Sequence, residues 1–505
     1  MLYNPTDLDQ PLARNGSSSG NKNGSGMRKS ASGRVIAELP PTLGRPDSVY
    51  VTVTAIHFCN VLKLRHAARR MMREEATLAG SPEAGYPSLG AEKPPPGLVS
   101  SVKYVLFYSK LNLLLLAALP GLLAKPLRLS AAQAFISNFV AIIPLAQLLG
   151  VVTEEVALYS SELIGGLLNA TLGNATELII SIFAIRAGLL RVVQVSLLGS
   201  ILSNLLLVMG CSFCLGGIRF REQHYSQKMA SINCSLLKMA VLGLVIPTAF
   251  VTTMRSSCAV PCRVAQIYEI SHCTAIVLFA LYVLLLFFQL HTHSYLNDGK
   301  NENDAYLIPG HIDELRVEGE TEDDEEEEVP AMTLSASVLV LAVLTTLIAL
   351  SSENLVGTLE LAAKSLHLSD LFIGLILLPI IGNAAEHATA VVMAWKGKTD
   401  LALGVALGSS VQIALGVIPA MVLVAWAVGS PLTLDFGAFE ACILLVTALV
   451  ATSTLDYSAT WLDGAMLIAA YMIVSIVYFY KVEIPYSTIR SRSCICGEAC
   501  CIISV

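Results

Sequence analysis

The chain has 505 residues, of which 54% are hydrophobic and 14% are charged, with a mean hydropathy of +0.65 and a formal net charge of −7. One soluble core does not need so much apolar surface, so the composition predicts a chain whose solvent is a lipid bilayer. It argues against a soluble globular protein. The negative net charge gives no reason to expect a nucleic acid as a partner.

Eleven apolar segments follow one another from residue 106 to residue 480. Each is close to the roughly 20 residues that a helix needs to cross a hydrocarbon core of about 30 Å. The sequence therefore predicts an all-α polytopic membrane protein with about 11 transmembrane helices. The predicted spans cover residues 106–124, 131–151, 162–187, 192–217, 232–252, 270–290, 334–355, 371–395, 401–428, 433–451 and 461–480.

Composition sets the remaining segments apart from the spans. Residues 1–100 are rich in Ser, Gly, Asn and Pro and contain no apolar span, which is typical of a disordered tail, and no cleaved signal peptide is evident at their start. The predicted domains are this cytosolic tail, helices 1–6 with the first repeat in 101–292, an acidic cytosolic linker in 293–332, helices 7–11 with the second repeat in 333–482, and a Cys-rich tail in 483–505.

Basic residues near the spans predict the orientation of the chain. The basic run in 63–73 and the basic connection 219–228 both favour the cytosol under the positive-inside rule. Eleven crossings then place the N-terminus in the cytosol and the C-terminus in the lumen, although Arg490 and Arg492 would lie on that far side. Three interpretations of the cysteines in 494–501 stay open: lipidation in the cytosol, disulfides in the lumen, or no role.

Residues 298–328 hold fourteen acidic and two basic residues, so the segment carries a charge of −12. One interpretation is a solvated linker that like-charge repulsion keeps extended. The other is a loose attractor or sensor of divalent cations, because carboxylates are ligands that Ca²⁺ takes, although the spacing matches no EF-hand loop. The densest run includes Glu322, Asp323, Asp324, Glu325, Glu326, Glu327 and Glu328.

Two motifs recur at one spacing on either side of the acidic linker. The first half has GNATE at 173–177 and LGS at 198–200, and the second half has GNAAE at 382–386 and LGS at 407–409. Both pairs are 209 residues apart, and a gap-free offset across two spans indicates an internal duplication. The glutamates of the two motifs lie five crossings apart, so their helices run in opposite directions. The predicted layout is one leading helix followed by two inverted five-helix repeats.

Glu177 and Glu386 are the candidate centre of the site. A carboxylate in the middle of a spanning helix costs about 2.5–3.5 kcal/mol on insertion scales, so two at equivalent positions need a compensating role. Each is either a structural acid satisfied by another helix or half of an ion site near the membrane midplane, where inverted repeats place such sites. Gly173 and Gly382, with Pro379 just upstream, are expected to interrupt these helices and free backbone carbonyls.

Polar residues follow both glutamates at matching intervals of 23 and 26 residues, and they are Ser200 and Ser203 in the first half and Ser409 and Gln412 in the second. Such groups often only bond across helices, but the repeated spacing favours a ligand role. The all-oxygen set suits Ca²⁺, or Mn²⁺ less specifically, and it contains no Cys for a soft metal. The predicted metal-binding residues are Glu177, Glu386, Asn174, Asn383, Gly173, Gly382, Ser200, Ser203, Ser409 and Gln412.

The GNATEL and GNAAEH segments, each followed by its GS motif, resemble the cation/proton exchanger branch of the calcium/cation antiporter superfamily, which includes fungal vacuolar Ca²⁺/H⁺ exchangers. The resemblance covers about residues 100–485 and is most specific in GNAAEHATAVVMAWKGKTDLALGVALGSSVQIALG. It implies that the matched Glu, Asn, Ser and Gln positions form the cation site and that the two halves rock to give alternating access. Thr176 departs from the family pattern, in which a small apolar residue is usual.

The residues and the resemblance together predict a secondary active transporter and not an enzyme. It would exchange Ca²⁺ for H⁺ across the vacuolar membrane, because cation and protons compete for one pair of carboxylates. His387, Glu155 and Glu353 are further candidates for proton coupling. An Na⁺/Ca²⁺-type exchanger and a passive divalent cation channel are the alternatives. The expected partners are the lipid bilayer and the transported ions, with no cofactor, and a homo-oligomer stays open.

Overall fold

Helices make up most of the chain that the computed structural model describes, which comprises residues 97–254, 260–293, 330–455 and 458–481. All of these residues belong to one compact unit, which begins at Thr52. The predicted N-terminal tail, apart from its last few residues, lies outside the described residues, as do the acidic segment and the C-terminal cysteines.

Before the acidic segment, the described helices are α1 Leu98–Phe107, α2 Ala118–Leu122, α3 Ala131–Ala157, α4 Glu162–Leu172, α5 Ala175–Arg186, α6 Leu190–Leu202, α7 Met209–Arg219, α8 Gln227–Met254 and α9 Val260–Phe287. A 3-10 segment, Lys110–Ala117, precedes α2. π-helical turns at Ser203–Val208 and Phe288–Thr292 continue α6 and α9.

After the acidic segment, the described helices are α10 Leu334–Leu366, α11 Asp370–Phe372, α12 Leu378–Gly382, α13 Ala384–Trp395, α14 Thr399–Gln412, α15 Ile418–Ala427, α16 Ala438–Ser453 and α17 Trp461–Tyr480. π-helical turns at Ile373–Leu377 and Ile413–Val417 join α11 to α12 and α14 to α15. Two short strands, β1 Gln223–His224 and β2 Ser458–Ala459, pair antiparallel.

The prediction of eleven spans is supported in part. Every predicted segment contains helix. However, when helices joined by a π-helical turn are counted as one, seven described helical segments are long and apolar enough to cross a membrane. The number rises to ten if each of three bent pairs is one span. The predicted span 433–451 is wrong in its bounds, because its helix Ala438–Ser453 has only 16 residues. Spans two and seven are longer than predicted, with 27 residues in α3 and 33 in α10.

The first predicted span, 106–124, is not one straight helix. Val99–Phe107 and Lys110–Leu122 meet at an angle of 95°. The buried side chain of Asn112 donates to the carbonyl of Val105 at 2.8 Å, which caps a helix end that would otherwise leave its carbonyls unsatisfied. The first predicted span is therefore a broken span or a re-entrant segment, which periodicity alone did not reveal.

The duplication in the sequence recurs in the helix bounds. Helix α5, Ala175–Arg186, shifted by the 209-residue offset of the motifs coincides with α13, Ala384–Trp395, and the start of α6 coincides with the start of α14. The π-helical turns Ser203–Val208 and Ile413–Val417 follow the same offset to within one residue. Single π-helical turns occur often at functional sites. The first of these turns begins at Ser203 and the second directly follows Gln412, and both residues are predicted for the site.

Contacts between connecting segments define two ends of the helix bundle. We call the end formed by 219–226, 395–400 and 458–460 face 1, since β1 pairs with β2 there and Arg219 donates to the carbonyl of Trp395 at 3.0 Å. We call the end formed by 187–191, 433–440 and 478–481 face 2, where Arg191 and Lys481 both pair with Glu440.

Face 2 also holds the ends of three other helices. The hydroxyl of Thr248 donates to the carbonyl of Leu434 at 3.3 Å, and Ser271 accepts from the Leu434 amide at 3.0 Å. Ser369, at the start of α11, donates to the carbonyl of Tyr478 at 3.5 Å. These contacts place the end of α8, the first half of α9 and the start of α11 toward the same face.

Candidate functional site

Both motif helices are broken where the sequence predicted. Leu163–Leu172 and Ala175–Arg186 meet at 46°, and Asp370–Gly382 and Ala384–Trp395 meet at 55°. Asn174 and Asn383 occupy the breaks, each just before the helix that carries the motif glutamate. A break turns a helix C-terminus and a helix N-terminus toward one point, so that free carbonyls and free amides become available to ions.

Glu177 and Glu386 lie in the first turns of α5 and α13. The side chain of Glu177 is buried, and neither of its carboxyl oxygens accepts a hydrogen bond from another residue. Oε2 of Glu386 is also buried without a partner, and the two carboxyl groups interact electrostatically. The positive ends of the two helix dipoles favour negative charge at these positions. Among the residues that the structure describes, no Lys or Arg side chain pairs with either carboxyl group, so a cation or protons must neutralise the pair.

Hydrogen bonds across the two halves bring the predicted polar residues together. Asn174 donates to Oε1 of Gln412 at 2.9 Å. Asn383 donates to the backbone carbonyl of Ser200 at 3.1 Å. In each bond an asparagine at a helix break meets a residue of the other half, so the four broken and π-helical elements meet around one point.

Gly382 lies directly against Glu177. A β-carbon at residue 382 would come within 2.7 Å of Oε1 of Glu177, which is closer than real side chains approach. Gly199 is equally close to its neighbours, since a β-carbon there would collide with the carbonyl of Leu375 and lie 2.6 Å from Pro379. These two glycines allow the halves to approach closely enough for the carboxylate to reach the opposite helix break.

Sequence reasoning missed Asn204. This buried residue donates to the hydroxyl of Ser409 at 2.9 Å, while its own Oδ1 is buried without a partner. Oδ1 of Asn383 is likewise buried without a hydrogen-bond partner. The signal for Asn204 was an amide next to Ser203 in an apolar span, but its counterpart at the repeat offset is Ile413. A search restricted to residues polar in both halves therefore passed over it.

The oxygen inventory fits a hard divalent cation. Besides the two carboxylates, the candidate site contains the unpartnered amide oxygens of Asn383 and Asn204 and the hydroxyl of Ser409. Six to eight oxygens, some of them supplied by water, are the usual shell of Ca²⁺. Within the described ranges no group of three or more His, Cys, Asp and Glu side chains lies close enough to hold a metal ion. The site therefore differs from the nitrogen and sulfur sites that zinc and other softer metals prefer.

A small cavity with room for about one water molecule adjoins Glu177. Its polar lining consists of Glu177 itself and the side chains of Ser181, Ser196 and Ser200, and its other walls include Leu378 and Pro379. Ser181 is buried and its hydroxyl has no partner. The sequence analysis did not single out Ser181 or Ser196, because neither is polar in the second half, where Ala390 and Val405 stand at the repeat offset.

The remaining predicted metal-binding residues are less central. Ser203 is buried beside the hydroxyl of Tyr471 in α17. Gly173 ends α4, and a β-carbon there would meet the carbonyl of Asn169 at 2.7 Å rather than any residue of the other half. The predicted glycine positions thus differ in role, since Gly382 touches the acid and Gly173 only shapes its own helix end.

Glu155 does not lie in the site. It is buried at the end of α3 and accepts from the backbone amide of Met332 at 3.2 Å. Tyr159 donates to the carbonyl of Met332, and burial together with the nearby Glu155 raises the pKa of the Tyr159 hydroxyl. Glu155 and Tyr159 therefore fasten the end of α3 to the start of α10, which directly follows the acidic linker.

The last predicted residues stand apart from the metal-binding set. His387 is partly exposed on α13 next to Glu386, and Glu353 is partly exposed on α10. The acidic segment Glu322–Glu328 is outside the residues that the structure describes. Their predicted roles in proton coupling and regulation stay predictions.

Comparison with known proteins identifies relatives over most of the chain. The family described as sodium/calcium exchanger protein matches residues 130–291 and 336–480. The chain is 43% identical over 386 residues to vacuolar cation/proton exchanger 3 of Oryza sativa subsp. japonica, covering 76% of this chain and 88% of the relative. It is 38% identical over 384 residues to the vacuolar calcium ion transporter of Schizosaccharomyces pombe, covering 76% of this chain and 88% of the relative.

The fold also matches a solved structure. Native YfkE superposes with a TM-score of 0.59 at 33% sequence identity, and the match covers 74% of this chain and 100% of YfkE. A second structure of that protein describes it as a Ca²⁺/H⁺ antiporter protein. The family match over residues 130–291 and 336–480 contains the motif helices, so the family shares the region in which the candidate site lies.

Proposed function

Because the chain belongs to the sodium/calcium exchanger protein family, we propose that it is a secondary active antiporter that exchanges Ca²⁺ for H⁺. The observation that supports this proposal is the pair Glu177 and Glu386 at two helix breaks. Their buried carboxyl oxygens have no basic partner among the described residues, and amide and hydroxyl oxygens of the predicted site lie on the neighbouring elements. The relatives described as cation/proton exchangers and Ca²⁺/H⁺ antiporters support the same ions. Mn²⁺, a similarly hard cation, is a second candidate substrate.

Exchange follows from competition for one pair of carboxylates. When Ca²⁺ binds, both Glu177 and Glu386 must be ionised, so loading the cation releases protons. When both are protonated, the site is neutral and holds Ca²⁺ weakly. The protein is assumed to switch the open side of the site only when the site holds Ca²⁺ or two protons. Cation and protons then move in opposite directions. The broken helices and the close contact at Gly382 lie at the boundary between the halves, where rocking would open one side or the other.

We propose eleven crossings in two inverted repeats, with face 1 in the cytosol. The loop after α5 lies at face 2 and the loop after α13 lies at face 1, which supports opposite directions for the two motif helices. Arg219, Arg221, Lys396 and Lys398 all lie in face 1 connections, which supports the cytosolic side under the positive-inside rule. Face 2 would then be lumenal, together with Lys481 at the end of α17.

We propose the vacuolar membrane as the location and the vacuole as the destination of Ca²⁺. Relatives described as vacuolar exchangers in rice and fission yeast support this assignment. Each pH unit across the membrane contributes about 1.4 kcal/mol per proton returned to the cytosol. Two protons moving down a gradient of two pH units thus supply about 5.5 kcal/mol, enough to concentrate Ca²⁺ about ten-thousandfold.

The acidic segment belongs to the cytosolic side in this layout, since it precedes Met332 and the start of α10. We propose that it raises the local concentration of cations at the entrance, with the plain linker as the alternative. Deleting 320–328 should then change the dependence of transport on Ca²⁺ concentration without abolishing transport. Unchanged kinetics at low salt would favour the plain linker.

The test is uptake of ⁴⁵Ca²⁺ into vesicles with clamped pH, with and without an acidic lumen. The wild-type protein should accumulate Ca²⁺ only when a proton gradient is imposed, whereas Glu177→Gln and Glu386→Gln should insert normally and fail to accumulate it. The Gln side chains keep the shape but lose the charge and the exchangeable proton. Accumulation that needs an Na⁺ gradient instead would indicate the sodium-coupled alternative, and flux that ignores both gradients would indicate a channel.

A further inference from the structure

A groove on the outer surface of the helix bundle lies between the start of α16 and the end of α17. It has a volume of about 510 Å³ and is lined by Phe439, Ile476, Val477, Tyr480 and Lys481. The two aliphatic and two aromatic side chains of this set are between 40% and 76% exposed. Among the described residues, the groove is therefore an open apolar surface with one charged side chain at its end.

The length of α17 shows how deep this groove lies in a bilayer. The helix has 20 residues, Trp461–Tyr480, so it is about 30 Å long, which is the thickness of a hydrocarbon core. Trp461 and Tyr480 are exposed at its two ends, as is typical of side chains at the two membrane interfaces. Ile476 and Val477 therefore lie at the depth of the upper acyl chains at face 2, and Lys481 lies at the level of the lipid headgroups.

Lys481 belongs to an ion cluster with Arg191 and Glu440. The side chain of Glu440 is 2% exposed, whereas those of Arg191 and Lys481 are 31% and 26% exposed. Two positive charges against one negative charge leave the cluster with a net charge of +1, and its accessible part is positive. The ammonium group of Lys481 also lies 4.5 Å from the centre of the Phe439 ring, which holds the charge at the end of the groove.

The surroundings of Lys481 leave it able to bind a further anion. Among the described residues, its ammonium group donates to Glu440, and an ammonium group has three N–H donors. Asp435 precedes α16, but its carboxylate accepts from the amide of Gly437 at 3.2 Å. Neither Asp435 nor Asp370, which begins α11 at this face, lines the groove.

We propose that this groove binds one anionic phospholipid of the leaflet at face 2, with an acyl chain along Ile476 and Val477 and the phosphate on Lys481. The inference does not depend on which ions the protein exchanges. Burial of acyl methylenes against the apolar lining favours the chain, and basic groups between spanning helices hold acidic headgroups. A zwitterionic phospholipid offers the same phosphate but adds a cation, which the net positive cluster repels. The bound lipid adds a second anion to the cluster that joins α6, α16 and α17, so it should stabilise the protein.

The test compares the melting temperature of the purified full-length protein in detergent with added phosphatidylglycerol or phosphatidylcholine of identical acyl chains. Native mass spectrometry counts the phospholipid molecules that stay bound. Ile476→Trp fills the groove and leaves the ion cluster intact, and Met466→Trp is its matched control, since Met466 is exposed on the same helix and does not line the groove. Lys481→Gln removes the charge and Lys481→Arg keeps it. Lys398→Gln removes an exposed base at face 1.

Phosphatidylglycerol should raise the melting temperature of the wild-type protein by several degrees more than phosphatidylcholine does, and one molecule of it should stay bound. Ile476→Trp and Lys481→Gln should lose this difference between the lipids, whereas Met466→Trp, Lys481→Arg and Lys398→Gln should retain it. Lys481→Gln also takes a partner from the buried Glu440, so Ile476→Trp decides the question if the Lys481 variant does not fold.

Three results would overturn the proposal. The first is an equal effect of both lipids on the wild-type protein, and the second is an undiminished difference between the lipids in Ile476→Trp. The third is a difference that appears only after deletion of residues 482–505, because the groove would then hold the chain segment that follows Lys481 instead of a lipid. Loss of the difference in Lys398→Gln, with Ile476→Trp unaffected, would place the anionic lipid at face 1 and equally exclude this site.

Discussion

Gly382 lies against Glu177 from the opposite half of the protein, and a β-carbon at residue 382 would be 2.7 Å from Oε1 of that carboxylate. This contact joins the break in one motif helix to the acid of the other. The backbone at Gly382 does not require glycine, because its φ is not among the positive values in the described chain. The glycine is therefore needed for space around the carboxylate.

The Gly382→Ala variant should impair cation binding without impairing folding. Alanine is preferred over glycine in helices by about 1 kcal/mol, so thermal stability should stay equal or rise, while the displaced carboxylate should raise the KM for Ca²⁺ several-fold. Gly404→Ala is the control, since a β-carbon at Gly404 meets nothing within 4 Å. Equal KM values in Gly382→Ala and the wild-type protein would show that the carboxylate can move away at no cost.

Asn174 and Gln412 should act as one unit in cation binding, because their side chains are bonded at 2.9 Å across the two halves. Substituting either by Ala should weaken Ca²⁺ binding, and the double variant should lose less than the two single losses added together. Bonded neighbours typically show coupling of about 0.5–3 kcal/mol, whereas distant pairs add to within about 0.5 kcal/mol. Binding measured by titration calorimetry gives the cycle, with Asn174 and Ser212 as the uncoupled pair. Additive losses for Asn174 and Gln412 would mean that the bond does not organise the site.

The sequence predicted the centre of this site better than its surroundings. The repeat offset led to both acids, both asparagines at the helix breaks and the cross-half partners Ser409 and Gln412. It could not lead to Ser181 or Asn204, whose counterparts Ala390 and Ile413 are apolar. A duplication reveals what the two halves share, while the departures from symmetry depend on the packing of each half.

Contacts between distant segments explain the other differences. Glu155 was a candidate for proton coupling. In the structure it accepts from the amide of Met332, 177 residues away, and no local sequence pattern indicates such a contact. The sharp bend of the first predicted span depends in the same way on the Asn112 side chain that reaches back to Val105. Hydropathy identifies apolar segments and their approximate ends, but it does not show whether a segment crosses straight or bends.

Glu440 should be important for stability rather than for transport chemistry. Its side chain is 2% exposed and pairs with Arg191 at 2.8 Å and with Lys481, so it fastens the start of α6 and the end of α17 to the start of α16 at face 2. Removing one partner of a buried ion pair costs about 3–5 kcal/mol, and the partial exposure of both bases should reduce this loss. We expect Glu440→Gln to lower the melting temperature clearly in detergent.

Glu222→Gln is the matched control for that variant. Glu222 is exposed and lies 3.9 Å from His224, also exposed, at face 1, and such surface pairs contribute about 0–1 kcal/mol. Its melting temperature should therefore stay near the wild-type value. A melting temperature for Glu440→Gln as high as that of Glu222→Gln would contradict a structural role for the ion cluster.

Residues of the two faces should react with impermeant reagents from opposite sides of the membrane. Single cysteines at Glu222 and Lys398, in a background without native cysteines, should be labelled from the same side, because Arg219 and Trp395 are bonded at face 1. A cysteine at Ser430, in the connection that leads to face 2, should be labelled only from the other side. Labelling of Ser430 and Lys398 from one side would mean that the helices between them do not cross as proposed.

Any dependence of transport on membrane potential should involve His387 or Glu353. Under the proposed exchange, Glu177 and Glu386 would carry two protons against one Ca²⁺. A two-for-one exchange is electrically silent, so a third proton would need another carrier. Glu155 is occupied by the Met332 amide, whereas His387 directly follows Glu386 and is partly exposed. Moving one net charge through 100 mV is worth about 2.3 kcal/mol, so an imposed potential should visibly shift the uptake plateau of an electrogenic exchanger.

His387→Asn or Glu353→Gln should then weaken this response more than Gln412→Ala does, when plateaus are compared at potentials clamped with K⁺ and valinomycin. A wild-type plateau that ignores the potential would show that two protons suffice, and a response that survives both substitutions would exclude these two residues as the third carrier.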